Sequence, residues 1–480
     1  MSDAAPDPYT VRHGESHSPP RNFLGRIRYL GPSLVVMGAV IGSGELVLTT
    51  SLGAKVGWAL LWFLLLSCWC KSLVQAEFAR YTIVSGDTYL RAINRVPGKI
   101  WRISWPIWLG LLAYVPGTMG LGGILGGAGE SLSFLTGLIN RAIDPEAALT
   151  LDPAWCTGII AVSCSIILSM GDYKWLERIM VVLVIAFTFT TLICSISMQF
   201  TDYHVSPSDV LGGMKPDMAL FIASAALALS AYGYTGTTSG DISSYTYWCI
   251  EKGYPSFVGS DRSDPDWEHH ARGWMRVLHT DVWLGLIIIS CATIPYYILG
   301  AGVLHKNGLD PEGAADTIAV LSNIFTETIG AWAVWVFAIG AFFILFSTVL
   351  SGVGGGGRFI PDYFIEMQLF DRSNLALRKA ITRWYLAILP IVAFLIYLLS
   401  PSFVFLIIVG GLTSAIFLPI QCGACLYLQS SNMDPRIRPC TATRAGLWVI
   451  FVCEAAMAAL VLRFVVYEKI LEAFAGTGGA

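Results

Sequence analysis

Charged side chains are scarce in this chain. Lys, Arg, Asp and Glu make up 13% of its 480 residues, against about 25% in an average soluble domain. Hydrophobic residues make up 55%, and the mean hydropathy is +0.63. This composition excludes a soluble globular protein and predicts an integral membrane protein that contacts the lipid bilayer. The net charge of -3 lacks the basic excess typical of nucleic-acid-binding proteins, so no nucleic acid partner is expected.

A catalytic constellation is also missing from the sequence. The histidines and serines form no pattern that supports nucleophilic catalysis or metal-dependent hydrolysis. Most cysteines lie in apolar runs, where a thiol packs as a small hydrophobic group. Cys422 and Cys425 have CxxC spacing, but packing is favoured over a metal or redox role. We therefore predict a protein that is not an enzyme and has no cofactor.

Eleven apolar stretches of roughly 20 residues are present, each long enough to cross a membrane. They are 31–53, 57–80, 104–136, 154–171, 177–199, 217–249, 281–304, 329–356, 384–400, 402–427 and 444–466. Most of the 30 Lys and Arg residues fall in the segments on one side of these stretches. The positive-inside rule therefore predicts a multi-pass protein of the cell membrane with a cytoplasmic N-terminus and an external C-terminus.

Residues 41–45, here called the first break, interrupt the first stretch with Ile-Gly-Ser-Gly-Glu. Two glycines weaken a helix, and a broken helix is tolerated at membrane depth only where its backbone lines a cavity or is buried in protein. An Asp at a helix centre costs on the order of 2.5–3.5 kcal/mol in the membrane, so such acids mark ion or substrate paths. Dipole stabilisation at a helix start, about 0.3–1 kcal/mol, does not explain Glu45 alone.

Residues 232–241, here called the second break, interrupt the sixth stretch with glycines, hydroxyl residues and Asp241. Paired interruptions in two halves of a chain predict an inverted-repeat transporter with its site at the midplane. We predict an all-α integral membrane protein with eleven transmembrane helices and the leucine-transporter-like 5+5 inverted repeat, with helices 1 and 6 broken and one helix added. The predicted parts are a disordered tail 1–29, a transporter domain 30–470 with repeats 31–199 and 217–427 and helix 11 at 444–466, and a tail 471–480.

The predicted substrate or ion site combines both breaks. Its residues are Gly42, Ser43, Gly44, Glu45, Thr237, Thr238, Ser239 and Asp241. The two carboxylates, Glu45 and Asp241, are the predicted metal ligands. All these donors are oxygens, which suit Mg²⁺, Ca²⁺ or Mn²⁺ better than soft metals. For Asp241, a structural role as a capping acid at the start of the second half-helix stays open.

Several short motifs are spread along the chain: Gly31-Pro32, Gly53–Trp62, Leu64–Ser67, Gln75, Ala79-Arg80, Ile83–Gly86, Gly171, Leu176-Glu177, Val303–His305, Ile381–Arg383, Ala387-Ile388 and Pro390. Together they resemble the Nramp family of proton-coupled divalent metal transporters. The resemblance covers most of residues 29–427 and implies the fold predicted above. It also implies that Arg80 belongs to an inner gate.

The chain departs from that family at its metal site. The family's Asp-Pro-Gly-Asn in helix 1 corresponds here to Gly42–Glu45, and no Met lies between Met218 and Met275 to match the family's Met-Pro-His in helix 6. The family's acidic pair in helix 3, part of its proton path, is replaced by a glycine-rich run that ends at Glu130. Glu130 is therefore the remaining candidate for that path.

We predict a secondary transporter that moves a small inorganic cation, a harder divalent ion such as Mg²⁺ or Mn²⁺, by alternating access. Coupling to protons stays open at this stage. The alternative is a transporter of amino acids or other organic solutes with the same fold, since Ile-Gly-Ser-Gly also resembles helix 1 of amino-acid and polyamine transporters. A third hypothesis is a sensor or scaffold that does not transport.

Overall fold

The computed structural model describes residue 9 and residues 16–33, 40–144, 150–171, 174–314, 316–400 and 402–467, with side chains undescribed at 174–181. The helices are α1 (Phe23–Ile27), α2 (Thr50–Val56), α3 (Leu61–Ser85), α4 (Tyr89–Ile93), α5 (Trp105–Leu112), α6 (Tyr114–Ile143), α7 (Pro153–Met170), α8 (Lys174–Ser197), α9 (Pro207–Gly213), α10 (Met218–Ala223), α11 (Ala225–Tyr234), α12 (Ser239–Glu251), α13 (Tyr254–Val258), α14 (Trp267–Leu299), α15 (Thr317–Ile329), α16 (Ala333–Glu366), α17 (Leu375–Leu398), α18 (Phe403–Ser431) and α19 (Thr441–Val461). Two short antiparallel strands, β1 (Lys99–Ile100) and β2 (Ile103–Ser104), form a hairpin before α5.

Eight helical segments in the described ranges are long and apolar enough to cross a membrane. They are 105–143, 153–170, 182–200, 267–304, 333–366, 375–398, 403–431 and 441–466. The predicted spans 31–53 and 217–249 are divided into shorter helical pieces, and the span 57–80 corresponds to α3, which carries several charged and polar side chains. The count of eleven spans therefore stays a prediction, whereas the nearly all-helical architecture is confirmed.

Both breaks predicted from the sequence interrupt regular helix. A π-helical turn, Gly44–Thr49, begins within the first break and leads into α2. In the second break, α11 ends at Tyr234 and α12 begins at Ser239, with Gly236 between them at φ +72°. That backbone conformation is open to glycine and strained for most other residues. Residues 34–39 of the first predicted span lie outside the described residues.

The glycine-rich run of α6 packs against α18. A Cβ atom on Gly120 would lie 2.7 Å from the Cα of Gly410, and one on Gly123 would lie 2.6 Å from the backbone nitrogen of Ile407. Small residues allow two backbones to approach this closely, which is how helices associate in a membrane without a strong hydrophobic driving force between them. The run therefore has a structural explanation in helix packing.

The predicted outer side of the bundle is closely packed around α2. A Cβ atom on Gly53 would lie 2.7 Å from the carbonyl oxygen of Tyr297, close to the π-helical turn Gly300–Leu304 that follows α14. The Nδ1 atom of His305 lies 2.7 Å from the carbonyl oxygen of Ala54. These contacts leave little space between α2 and the end of α14.

Two residues of the predicted tail 1–29 make contacts with the rest of the chain, and the division of the chain into tails and repeats stays a prediction. The backbone of His17 donates to the carbonyl of Phe257 at 3.0 Å, and the indole of Trp274 donates to the carbonyl of His17 at 2.9 Å. The buried Tyr9 donates to Glu251 at 2.7 Å. Tyr9 and His17 therefore contact the helical bundle, whereas most of residues 16–29 are exposed. Residues 1–8, 10–15 and the predicted tail 471–480 lie outside the described residues.

Candidate functional site

A cavity of about 280 Å³ lies between the two breaks. Its lining includes α4, α5, α6 and the C-terminal half of α16, and these elements lie toward the side that the basic residues predict to be cytoplasmic. Aromatic side chains form part of the wall. They are Tyr89, Tyr114, Tyr234, Phe359, Tyr363, Tyr385 and Phe417.

Asp241 lines this cavity from the first turn of α12. Its Oδ2 atom accepts hydrogen bonds from the backbone nitrogen and the hydroxyl of Thr238, at 2.9 and 2.7 Å, while its own backbone nitrogen donates to that hydroxyl at 3.2 Å. This reciprocal arrangement is a capping box. The Oδ1 atom has no hydrogen-bond partner among the described residues, so it is available to a ligand in the cavity.

Other predicted residues share this wall. Ser43, Gly44, Thr238 and Ser239 line the cavity together with Asp241. A side chain on Gly44 would overlap the carbonyl oxygen of Tyr234, so this glycine is what allows the two breaks to approach each other. Gly42 does not line the cavity, but it packs against Thr348, which does.

Glu45 is wholly buried and does not line the cavity. Its Oε1 atom accepts from the backbone nitrogen of Gly236 at 2.9 Å and from the hydroxyl of Thr293 at 3.5 Å. Its Oε2 atom accepts from the backbone nitrogen of Gly42 at 3.3 Å. The carboxylate therefore joins the first break to the second break and to α14, and these donors reduce the cost of its burial.

Thr237 also points away from the cavity. Its hydroxyl donates to the side-chain oxygen of Gln75 on α3 at 3.2 Å. The structure thus brings five of the eight predicted site residues to one wall and places Glu45, Thr237 and Gly42 behind it. The two predicted metal ligands, Glu45 and Asp241, share no hydrogen-bond partner within the described ranges.

Lys71 on α3 was given no role by the sequence pattern, yet it lies directly behind the second break. It is wholly buried, and its Nζ atom donates to the carbonyl oxygen of Tyr232 at 2.7 Å and also to that of Thr235. Both carbonyls belong to the end of α11, where the helix no longer supplies donors. The signal that could have found Lys71 is its position within a span, because buried ionisable residues in membrane helices are functional candidates.

Arg80 pairs with Glu77 one turn earlier in α3, as their spacing predicts. Its Nε and Nη2 atoms donate to the two carboxylate oxygens at 2.8 and 2.9 Å. The Nη2 atom also lies 2.8 Å from His279 on α14, and Gln429 on α18 donates to Glu77 at 3.0 Å. Arg80 therefore links three helices near the predicted cytoplasmic end, and it does not line the cavity.

Glu130 is remote from both breaks. Its Oε1 atom accepts from the backbone nitrogen of Ile318 at 3.2 Å, at the start of α15, and it does not line the cavity. This contact explains the carboxylate as an anchor for the N-terminus of α15. Its place in a proton path stays a prediction without a geometric link to the other site residues.

Asp281 on α14 is a buried acid that the sequence pattern did not single out. Its carboxylate accepts from the backbone nitrogens of Gly31 and Ser33 at 3.3 and 2.9 Å, and from the hydroxyl of Tyr245 at 2.6 Å. It thereby connects the start of the first predicted span to α12 and α14.

Within the described part of the chain, no group of three or more His, Cys, Asp or Glu residues is arranged to hold a metal ion.

Comparison with known proteins identifies the family. The sequence model of the natural resistance-associated macrophage protein-like family, Nramp, matches residues 33–466. The chain belongs to the Nramp family. The divalent metal cation transporter MntH of Mycobacterium tuberculosis is 24% identical over 316 residues, an alignment that covers 65% of this chain and 64% of MntH.

Two solved structures show the same fold as this Nramp chain. The manganese transporter of Eremococcus coleocola superposes with a TM-score of 0.63 at 16% identity, covering 94% of this chain and 90% of that one. A nucleobase-cation-symport-1 family transporter superposes with a TM-score of 0.55 at 13% identity, covering 99% and 97%. These findings confirm the predicted leucine-transporter-like fold, the multi-pass membrane protein and the Nramp resemblance.

Family membership also confirms the predicted secondary transporter. Nramp proteins are transporters rather than enzymes, which agrees with the absence of a catalytic pattern in the sequence.

Proposed function

We propose that this Nramp protein moves a divalent metal ion by alternating access and that the ion binds in the cavity between the two breaks. The observation that carries the site is the position of Asp241, which lines the cavity from a capped half-helix and whose Oδ1 atom has no hydrogen-bond partner among the described residues. The relative MntH is a divalent metal cation transporter, and the Eremococcus coleocola relative in fold is a manganese transporter. Both support a metal cargo.

The donors at this site favour a hard and partly hydrated ion. Asp241 supplies one carboxylate, and the neighbouring lining groups at Ser43, Thr238 and Ser239 supply oxygen atoms. Mg²⁺ binds with one or two carboxylates and keeps several waters, and Mn²⁺ also accepts oxygen ligands. A volume of about 280 Å³ holds an ion with six waters, since a water occupies about 30 Å³ of liquid.

The cavity and the closely packed α2 support an inward-facing state. The lining extends from the breaks to α4 and α5 on the predicted cytoplasmic side, while Gly53 and His305 hold α2 against the end of α14 on the other side. We place the N-terminus in the cytoplasm and the C-terminus outside, from the distribution of basic residues. In this orientation the ion leaves to the cytoplasm along α16.

Glu45 has a positioning role at this site. It holds the backbone nitrogens of Gly42 and Gly236 together and so fixes the relative position of the two breaks. Direct ligation by Glu45 requires its carboxylate to leave both nitrogens, because all its described contacts lie away from the cavity.

The second candidate cargo is an organic solute such as an amino acid. The observation that favours it is the aromatic part of the wall, including Tyr234, Phe359 and Tyr363. Pockets for small organic molecules are lined mainly by apolar and aromatic side chains with a few polar groups. The cavity volume is at the lower end of the range of about 300–1,000 Å³ for such pockets.

Uptake into proteoliposomes tests the proposal. Purified protein is reconstituted, and an inward gradient of Mn²⁺ or Mg²⁺ is applied at a negative internal potential, with protein-free liposomes as the control. We expect metal uptake that saturates with concentration. Uptake of amino acids or polyamines with no metal uptake would replace the first cargo by the second, and uptake of neither would contradict transport.

A further inference from the structure

Glu454 is an unexplained buried acid on α19, the helix that follows the two predicted repeats. Its side chain is wholly buried, and neither carboxylate oxygen has a hydrogen-bond partner among the described residues. An ionised carboxylate without donors is costly to bury. Other buried acids of the bundle differ in this respect, since Glu45 accepts backbone hydrogen bonds and Glu77 pairs with Arg80.

The helix α19 packs against α3 and α11, and Lys71 of α3 is the cation whose charge acts on Glu454. No ion pair joins the two in the described structure, because Lys71 donates instead to the carbonyls of Tyr232 and Thr235. Ser67 donates to the same Tyr232 carbonyl at 2.7 Å. Lys71 thus supplies the positive charge at the C-terminal end of α11, where a cation is favourable.

Within the described ranges, the surroundings offer Glu454 no other cation. The titratable groups that face it are Lys71 and Cys70 on α3, Tyr232 on α11, and Cys422 on α18. Lys71 is itself faced by Cys68, by Glu45 of the π-helical turn and by Asp241 of α12. The stability of the ionised form of Glu454 therefore depends on whether Lys71 keeps its hydrogen bonds to the carbonyls of the second break.

We propose that Glu454 is a proton-binding site coupled to the second break through Lys71, an inference that rests on the transport function proposed above. In the described state Lys71 holds the end of α11, and the carboxyl group of Glu454 carries a proton. When the second break rearranges, its carbonyls leave the ammonium group. Lys71 then stabilises the carboxylate, and the proton returns to water. The oxygen–hydrogen bond of the carboxyl group is the only covalent bond that forms and breaks.

Infrared difference spectroscopy on the purified full-length protein in nanodiscs tests this site without any transport. At neutral pH we expect a carboxyl C=O band that disappears in Glu454→Gln. The matched control is Glu312→Gln, which removes an acid paired with Lys55 at 2.6 Å and should leave the band unchanged. A band that is equally strong in wild type and Glu454→Gln, or absent from wild type, would overturn the proposal.

Lys71→Met provides a second variant if Glu454→Gln does not fold. Without the ammonium group nothing favours the carboxylate, so the carboxyl band should persist to a higher pH than in wild type. An unchanged titration would show that Lys71 does not control the proton.

Proton movement during metal uptake completes the test. Proteoliposomes that contain a pH-sensitive dye should change their internal pH as wild type imports metal, whereas Glu454→Gln should import metal with that pH change reduced to the level of empty liposomes. If wild type imports no metal, the transport proposal fails while the infrared result still decides the proton site. An equal change of internal pH per imported ion in wild type and Glu454→Gln would contradict the coupling.

Discussion

The two faces of the second break differ in what they offer. The front face carries Asp241 and Thr238 and borders the cavity, where one carboxylate oxygen has no described hydrogen-bond partner. The back face lies against α3, where Lys71 and Ser67 hold its carbonyls. Glu45 lies on the back face, where it accepts from Gly236, although the sequence analysis grouped it with Asp241. A carboxylate beside a glycine break can therefore bind the transported ion or hold the backbone of the break by hydrogen bonds. The side of the break on which the carboxylate lies decides between these roles.

The physical basis of this difference is the supply of donors. A half-helix that ends at membrane depth leaves carbonyls without partners, and one that begins there leaves N–H groups without partners. Lys71 satisfies carbonyls at the end of α11, and Glu45 satisfies the N–H groups of Gly42 and Gly236 within the two breaks. Because the polar groups of the backbone are hydrogen-bonded from the back face, the side chains of the front face can bind the transported ion.

The largest expected effect is that of Asp241→Asn. The amide keeps an oxygen that accepts from Thr238 but loses the charge toward the cavity, so metal uptake should fall at least about tenfold, the loss seen even for groups that only support a metal ligand. The check is the initial rate of Mn²⁺ uptake in proteoliposomes.

The matched control is Asp209→Asn. Asp209 forms the same kind of capping box with Ser206 at the start of α9, but on the exposed surface. It should leave uptake unchanged. Equal losses in the two variants would mean that Asp241 acts only as a cap, and the front face would lose its assigned role.

Glu45→Gln should have the next largest effect. A glutamine amide group cannot accept hydrogen bonds through its nitrogen, so one of the backbone donors at Gly42 and Gly236 loses its partner, at a cost of about 1–3 kcal/mol. We expect lower thermal stability together with strongly reduced uptake. The exposed Glu268, which pairs with Arg272, provides the control variant Glu268→Gln. Wild-type stability and rates in Glu45→Gln would remove its role in joining the breaks.

Gly120→Ala should destabilise the protein by about 1–3 kcal/mol, the usual cost of overpacking. Its methyl group would meet the Cα of Gly410 at 2.7 Å and also the hydroxyl of Tyr234. Gly117→Ala, in the same helix, meets nothing within 4 Å and should be tolerated. Melting temperatures in detergent compare the two, and equal values would refute close packing as the reason for the glycine-rich run.

Arg80→Lys should have the smallest effect. Lysine keeps the charge but loses the two-point contact with Glu77, so a loss of about 0.5–1.5 kcal/mol is expected. Denaturation of the purified variant measures it. A loss of uptake that exceeds the loss of stability would instead support the inner-gate role implied by the family resemblance.

The length of the apolar stretches was sufficient to predict the nearly all-helical architecture, and glycine position was sufficient to predict both breaks. The fold followed because two broken helices five spans apart are typical of an inverted-repeat transporter. The sequence also identified Asp241 as a candidate ligand and as a capping acid, and the structure supports the second role directly while leaving one oxygen for the first.

The direction of individual side chains was not predictable. Glu45 lies in the π-helical turn Gly44–Thr49 and accepts from Thr293 on α14, and it does not line the cavity. Lys71 and Asp281 gain their partners from elements distant in sequence, at Thr235 and at Gly31. Such contacts depend on tertiary packing, which residue spacing along one helix does not encode.

The most direct test of the divalent-metal site is a thermal-shift screen of the purified protein with Mn²⁺ and Mg²⁺ against a set of amino acids and polyamines. We predict that the divalent ions raise the melting temperature in a concentration-dependent way, because a ligand that binds the folded state stabilises it, and that Asp241→Asn abolishes the shift while Asp209→Asn preserves it. Stabilisation only by an organic ligand, or a metal shift that survives in Asp241→Asn, would contradict the assignment of the cavity as a divalent-metal site.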